Sequence, residues 1–421
     1  MENISIVKGF KDILPQGVHK WHYIEQKARD IFTTFGFREI RPPIVEKTDL
    51  FRRSIGETTD IVEKEMYTFL DRGGEFLTLR PEATASILRA YIEHSLFNSE
   101  PVSKLFAIGP MFRRERPQKG RFRQFHQIDA EMLGVDDPGS DAEIILMLIH
   151  YLRALLLPEI HLEINSLGCS ECRPSFREAV VAYLAGQETG LCGDCVRRMN
   201  INPLRVFDCK VEACRQLIAD APQIPEFLCE DCRKHFDEVQ DALHQFDLPF
   251  SVNPRMVRGL DYYTRTTFEL TSTSLGAQNA VVGGGRYDHL VRDLGGPDIP
   301  GIGFAIGCER LLSMMNEEAF PKSPAPILFI AALGDNARRW AFITCNKMRM
   351  KGLAVEMEHG EKSLKAQMKK ADKLRSHFTL LVGDREFSDH QAPLRNMKTG
   401  VQQTIQLGKL EEILMETIKE G

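Results

Sequence analysis

The residues best suited to chemistry are concentrated between Phe112 and Glu131, FRRERPQKGRFRQFHQIDAE. From Arg113 to Arg123, six basic residues and one acid, Glu115, fill eleven positions. Pro117 and Gly120 mark the middle of this stretch as a loop. An isolated basic loop would read as a solvated hairpin. Arginine predominates here, however, and its planar fork grips phosphate oxygens in pairs. The residues after the loop strengthen the functional reading. Phe125, Gln127, Asp129 and Glu131 alternate, so on a strand they share one face. An aromatic ring, an amide and two carboxyls make a poor core and a good polar pocket.

Three further segments have a related character. In MVRGLDYYTRTTFE, Met256 to Glu269, Arg258 beside Gly259 lets a cation approach a ligand with little bulk nearby. Tyr262 and Tyr263 add two phenols. In VVGGGRYDHL, Val281 to Leu290, three glycines after an apolar run allow close backbone approach, with Arg286 and Tyr287 at the lip. A triple glycine alone fits a tight turn as well. GIGFAIGCERLLSMM, Gly301 to Met315, reads as a glycine-rich entry to a helix. Such an entry can present N–H groups to an anion, with Arg310 as a fixed charge. Taken alone, it fits a helix packed through small residues equally well.

Eight of the ten cysteines lie between Cys169 and Cys232. Cys169 and Cys172 form one C-x2-C pair and Cys192 and Cys195 another, with nineteen residues between them. That spacing is a recognised zinc pattern. Cys209, Cys214, Cys229 and Cys232 form a second quartet with one looser pair. Lys8, Lys11 and Asp12 stand where an export signal would be apolar, so thiolates on metal are expected over disulfides. One or two structural zinc ions are expected, and the spacing leaves the pairing open.

Together these segments resemble the motif set of class II aminoacyl-tRNA synthetases, specifically the histidyl family. GFKDILP is similar to that family's N-terminal signature. FGFREIRPPIVEKTDLF resembles the first class II motif, FRRERPQKGRFRQFHQ the second and GIGFAIGCERLL the third. RGLDYYTRTTFE and GGGRYDHL resemble its two histidine-specific stretches, which argue against a synthetase for threonine or proline. The resemblance implies an α+β catalytic domain, an antiparallel sheet flanked by helices. It also implies an insertion, a C-terminal α/β anticodon-binding domain, and a homodimer formed through the first motif.

The activity implied is ATP-dependent attachment of L-histidine to tRNA(His) through a histidyl-adenylate. By motif match, Arg113 and Arg258 would hold the α-phosphate of ATP, Arg258 doing work that a metal does in related enzymes. Arg310 would reach the γ-phosphate or flank the adenine, Phe125 would stack on it, and Glu115 matches the acid of the second motif. Mg²⁺ would bridge the β- and γ-phosphates. Glu82 and Thr84 in RPEATAS would take the α-amino group of histidine, with Gln127. Glu131 and Tyr263 resemble the imidazole readers, beside Tyr262, with Tyr287 closing the pocket. Arg116, Lys119, Arg121 and Arg123 would meet the tRNA acceptor end. The alternative is the synthetase-like regulatory subunit of ATP phosphoribosyltransferase. It generally lacks the C-terminal domain and degrades the second motif; both are present here.

The elements that must position these residues follow from patterning. Helices are expected at Trp21 to Phe35, Glu82 to His94 after Pro81, and Asp141 to Leu157. Strands are expected over Phe37 to Arg41, Phe76 to Leu79, Lys104 to Phe112, Arg123 to Leu133, Leu162 to Leu167, Tyr262 to Thr271 and Val281 to Gly285. From Cys169 to about Phe250 cysteine and acidic residues rise and helical patterns dominate. The expected layout is therefore a catalytic domain over 1–168 and 251–320, a cysteine-rich insertion over 169–250, and a separate domain over 326–421. Lys362, Lys365, Lys369, Lys370 and Lys373 mark one helix of that last domain. They offer either a solvated face or a stripe for RNA phosphates.

The chain has 421 residues, 43% hydrophobic and 27% charged, with net charge −5. This is ordinary globular composition, not a polybasic coat or a disordered tract. The most apolar stretch, Ile144 to Leu157, carries His150 and Arg153 and is too short for a membrane span. A cytoplasmic protein is expected.

Overall fold

The computed structural model describes residues 3–57, 59–117, 120–157, 160–275, 280–321 and 325–420. The chain divides into two units, Met1–Pro321 and Lys322–Gly421. The first is built on an eight-stranded sheet. Its order is Arg38–Glu39, Ser103–Phe112, Gln124–Leu133, Gly301–Gly307, Ala280–Arg286, Thr264–Thr271, His161–Ser166 and Ser251–Val252. The six central strands pair antiparallel. The short strands at both edges pair parallel.

Strand alternation divides this sheet into an apolar and a polar face. Ile128, Ala130 and Met132 of Gln124–Leu133 join Ile302, Phe304, Ile306 and Phe268 in one core with Phe32 and Tyr151. Helices Pro15–Thr34, Pro138–Ala154 and Glu230–Gln245 supply the other side of that core. Pro15 sits at the first turn of its helix, where its missing N–H costs nothing. The Tyr151 hydroxyl, buried between helices, donates to the Ile24 carbonyl at 3.0 Å. The opposite face carries the odd-numbered residues of Gln124–Leu133 and is left open for a site.

Three local expectations change. Gly301–Gly307 is a strand, not the entry to a helix, and the helix Cys308–Met314 begins only after it. Its register against Leu133 to Gln127 is continuous, so the backbone groups of these glycines are spent in the sheet. The helix after Pro81 is Thr84–Glu93, which leaves Glu82 outside it; the Glu82 carboxylate accepts the Ala85 N–H at 3.0 Å. Arg286 does not stand at the lip of a pocket. It is fully buried and donates to Asp141 from Nε at 3.0 Å and Nη2 at 2.6 Å, and to Asp288 at 3.0 Å.

The residues between His161–Ser166 and Ser251–Val252 form a small, mainly helical module. Helices Cys172–Leu184, Gly193–Ile201 and Glu212–Leu217 gather around Phe176, Val180, Val206 and buried cysteines. Helix Glu230–Gln245 serves both sides. Cys232 belongs to the module's core, whereas Phe236, Val239 and Leu243 belong to the core of the large sheet.

The second unit is a five-stranded mixed sheet, ordered Val355–Met357, Leu328–Leu333, Phe378–Gly383, Gln391–Asn396 and Gln402–Gln406. The first three strands are parallel and the last two antiparallel. Its helix Leu364–Lys373 buries Gln367 and Ala371 and exposes Lys365, Lys369 and Lys373.

The buried Arg286–Asp141–His235 group ties strand, helix and helix together, with His235 Nε2 at 2.9 Å from Asp141. Burial would push the Asp141 carboxyl up, but Arg286 and His235 outweigh it and hold the carboxyl below its usual range. A depressed carboxyl contributes stability above its unfolded value and loses it as pH falls through the folded one. Asp141→Asn removes the buried counter-charge shared by Arg286 and His235, leaving Asp288 alone beside the guanidinium, and should lower unfolding free energy by about 3 kcal/mol. Urea denaturation should show that deficit in full near neutral pH and shrinking below the ordinary carboxylate range.

Candidate active site

The polar face of the large sheet floors a cavity of about 460 Å³. Its floor is paved with small residues because side chains elsewhere need the room. Gly303 pairs with Glu131 on one side and Gly285 on the other, while Gly283 lies between Ala305 and Glu269. A Cβ at Gly303 would fall on the Glu131 carboxylate, and one at Gly283 on the Arg258 guanidinium. Phe125, Gln127 and Glu131 project into the cavity from Gln124–Leu133.

Three arginines from separate parts of the chain line this cavity. Arg113 follows the strand Ser103–Phe112; its Nε donates to the Pro81 carbonyl at 2.9 Å and its guanidinium lies 5.2 Å from the Phe125 ring centre. Arg258 lies over Gly283 and donates to Glu269 at 2.6 Å, and its Nε has no partner among the described residues. Burial opposes its charge, but Tyr263, Glu269 and Asp208 outweigh burial and hold its pKa above the usual arginine value. Arg310 donates to the Ala280 carbonyl. Burial, and then Arg121 nearby, pull its pKa down. Cations gathered this way need an anion between them, and a polyphosphate is the natural one.

The other end of the cavity is carboxylic and phenolic. Glu131 is fully buried; it accepts the Thr84 hydroxyl at 2.6 Å and the Tyr287 hydroxyl. Burial drives its pKa well above the usual range, and Thr84 and Tyr287 only partly offset this. Burial likewise raises Glu82, Tyr262, Tyr263 and Tyr287. The three phenols therefore keep their protons at neutral pH. Tyr262 and Tyr263 have ring centres 4.7 Å apart, and Tyr287 closes on Tyr262 at 5.6 Å. The Gln127 side-chain oxygen has no partner among the described residues. A desolvated carboxyl gains most from a ligand that brings an N–H or a cation.

Glu82, Thr84, Glu115, Arg121, Tyr262, Tyr263 and Tyr287 all line the same cavity. Glu115 accepts from Arg121 at 2.9 Å. Arg116 is exposed and does not line it. Arg123 turns instead to the N-terminal segment; its backbone N–H donates to the Gly9 carbonyl at 2.8 Å and its side chain to the Lys8 carbonyl. Lys119 lies outside the described residues.

Some lining residues were not singled out from the sequence: Glu269, Glu309, Arg205 and Asp208. Glu269 ends the segment that carries Arg258, but nothing in the local spacing marks it as that arginine's partner. Glu309 fixes the His126 N–H at 3.0 Å. Asp208 is lifted to about 6 by burial, against Arg205, Arg198 and Arg258.

The eight clustered cysteines form two groups, and the pairing is nested. Cys169 and Cys172 gather with Cys229 and Cys232, and Cys192 and Cys195 with Cys209 and Cys214. This corrects the grouping of Cys169, Cys172, Cys192 and Cys195 apart from the rest. Within each group all four sulfurs lie within 4.8 Å of one another. Cys169 is 3.7 Å from Cys172 and 3.9 Å from Cys229, and Cys192 is 3.8 Å from Cys209. Four thiolates around a tetrahedral zinc, at about 2.3 Å each, stand roughly 3.8 Å apart. Backbone N–H groups point at sulfur, from Cys229 to Cys172 and from Cys192 to Cys214, both at 3.1 Å.

The histidyl-tRNA synthetase family profile matches residues 9–311, and an anticodon-binding domain profile matches 328–417. The histidine–tRNA ligase of Desulfosudis oleivorans is 55% identical over 413 residues, 98% of each chain. That of Syntrophotalea carbinolica is 52% identical over 414 residues, 98% of this chain and 99% of its own. Among solved structures, apo histidyl-tRNA synthetase of S. aureus aligns with TM-score 0.82 at 37% identity, covering 98% of this chain and 100% of its own. An ATP phosphoribosyltransferase regulatory subunit/histidyl-tRNA synthetase from Bacillus halodurans, at 19% identity and TM-score 0.65, shares the fold.

The floor makes a direct test possible. Gly283→Ala places a methyl group where Arg258 lies and should weaken binding of a nucleoside triphosphate at least roughly tenfold, since displaced charges lose their geometry. Calorimetric titration would show this; unchanged affinity would separate Arg258 from the anion site.

Proposed function

Because the chain belongs to the histidyl-tRNA synthetase family, we infer that it attaches L-histidine to tRNA(His) at the expense of ATP. The histidine carboxylate attacks the α-phosphorus, pyrophosphate leaves, and the terminal ribose hydroxyl of the tRNA takes the histidyl group from the adenylate. Neither step needs a protein nucleophile. The protein's work is to align the reactants and to stabilise charge on the α-phosphate.

The observation that carries this reading is one cavity with guanidinium groups at one end and a buried carboxyl–phenol group at the other. Arg113 and Arg258 grip the α-phosphate, and Arg310 holds the far end of the triphosphate or flanks the adenine. Phe125, already beside a guanidinium, stacks on the base. Glu115, whose Oε2 accepts from Arg121, lines the cavity with a second carboxylate oxygen that would suit Mg²⁺ bound with the triphosphate. When bound, the ion neutralises charge on the β- and γ-phosphates.

Glu82, Thr84 and Gln127 receive the α-amino group. Glu131 and Tyr263 face the two imidazole nitrogens, one of which donates and one accepts in the neutral ring. Tyr262 and Tyr287 close the pocket. An apolar amino acid would leave these buried groups unpaired, which is the strongest kind of rejection a site can make. Of the acceptor-end residues, Arg121 lines the cavity and Arg116 does not. The second unit, with its lysine-bearing helix, takes the anticodon arm.

The reading includes a homodimer. It is supported by the sheet of Val45–Lys47, Phe76–Leu79 and Tyr67–Leu70, which exposes Val45, Phe69, Leu70 and Phe76. Each cysteine quartet is read as the donor set of one structural zinc ion. No helix among the described residues is long and apolar enough to cross a membrane, and the reading as a translation enzyme is that of a cytoplasmic protein.

Aminoacylation with each amino acid in turn should charge tRNA(His) with histidine alone. Glu131→Ala should raise the KM for histidine by roughly 10- to 100-fold, the loss of a buried hydrogen-bonding partner. The KM for ATP should change little. Equal effects on both substrates would remove Glu131 from imidazole recognition.

A further inference from the structure

The segment from Arg258 to Tyr263 carries a phosphate-binding arginine and the histidine-binding tyrosines, yet it has no helix or strand of its own. Two of its backbone carbonyls, those of Gly259 and Tyr263, accept from the cysteine module. Arg205 Nη2 donates to the Gly259 carbonyl at 2.6 Å, and its Nε to Asp261 at 3.2 Å. Asn202 donates to the same Asp261 oxygen at 3.2 Å. From another direction Arg173 donates to the Tyr263 carbonyl and, through Nε at 3.3 Å, to the Leu167 carbonyl.

These residues sit beside the cysteines in a regular way. Arg173 follows Cys172 at the start of the helix Cys172–Leu184. Asn202 and Arg205 belong to the stretch between Cys195 and Cys209, whose two ends meet at one quartet. The module's own core is small, and loops of this length are costly to hold without a cross-link. A metal at each quartet would close them.

We propose that the module is a metal-closed brace: zinc at each quartet fixes Arg173 and Arg205, and these arginines hold the Arg258–Tyr263 segment in its working position. Arg173 and Arg205 act as positioning residues: Arg205 borders the cavity, but its Nε and Nη2 are committed to Asp261 and the Gly259 carbonyl. They act at opposite ends of the segment. Arg205 supports the Arg258 end and so alignment at the α-phosphate. Arg173 supports Tyr263 and so the histidine pocket. This rests on the histidine–tRNA ligase reading above and on zinc as the metal.

The test uses full-length protein purified without chelator. Zinc content, histidine-dependent ATP–pyrophosphate exchange and amide hydrogen exchange over 258–263 are measured on wild type, Arg173→Met, Arg173→Lys and Arg205→Met. Expected are one zinc per quartet in all four proteins and faster amide exchange in both Met variants. Arg173→Met should raise the KM for histidine about tenfold with a smaller change in kcat, and Arg205→Met should lower kcat by about tenfold or more. Arg173→Lys should recover part of the loss, since an ammonium can still reach the Tyr263 carbonyl. Wild-type kinetics and amide exchange in both Met variants would overturn the brace. Zinc-free wild-type protein with a protected 258–263 segment would overturn the metal closure. Absence of histidine-dependent exchange in wild type would instead mark failure of the underlying functional reading.

Discussion

The structure of the site depends on a single strand, Gln124–Leu133, being apolar on one face and ionisable on the other. Ile128, Ala130 and Met132 hold it in the core, so the alternate residues point to the other side, where Phe125, Gln127 and Glu131 line the cavity. That arrangement buries Glu131 completely. Its tolerance requires neighbours that leave space and supply donors. Gly303 leaves the space, and Thr84 and Tyr287 supply the donors. Burial still holds the carboxyl well above its usual range, the two donors offsetting it only in part.

The same logic operates at the cationic end. Gly283 clears room for the Arg258 guanidinium, and Glu269, directly opposite Gly283 in the sheet, anchors it. The Glu131 and Arg258 side chains therefore lie over positions that have none. Glu131 and Glu269 both come from strands rather than loops, which fixes their positions more tightly than a loop would. Arg258 itself stands on an irregular segment, and its order has to be supplied from outside.

Much of this was legible in the sequence. In the run Phe125, Gln127, Asp129, Glu131 strand periodicity and chemistry agree, and three of the four line the cavity; Asp129 instead is buried outside its lining. The glycine triplet was legible as a place of close approach, and the composition shift at Cys169 marks the module. What stayed hidden has specific physical reasons. Gly301–Gly307 has no local signal separating a glycine-rich strand from a helix entry; strand neighbours decide it. Arg286 looked like a pocket residue because arginine is seldom fully buried, and only its partner Asp141, 145 positions away, shows otherwise. The cysteines were legible as a cluster with ligand spacing but not in their nested grouping, which depends on the module folding back on itself. Glu269 gave no signal, because its function lies in a cross-strand register.

The account stands on one cavity receiving both a nucleotide and an imidazole. The most direct measurement is a crystal structure with histidine and a non-hydrolysable ATP analogue bound together. The account predicts imidazole nitrogens within hydrogen-bonding distance of Glu131 and Tyr263, with Arg113 and Arg258 both on the α-phosphate. An imidazole turned away from Glu131, or an α-phosphate met by neither arginine, would contradict it.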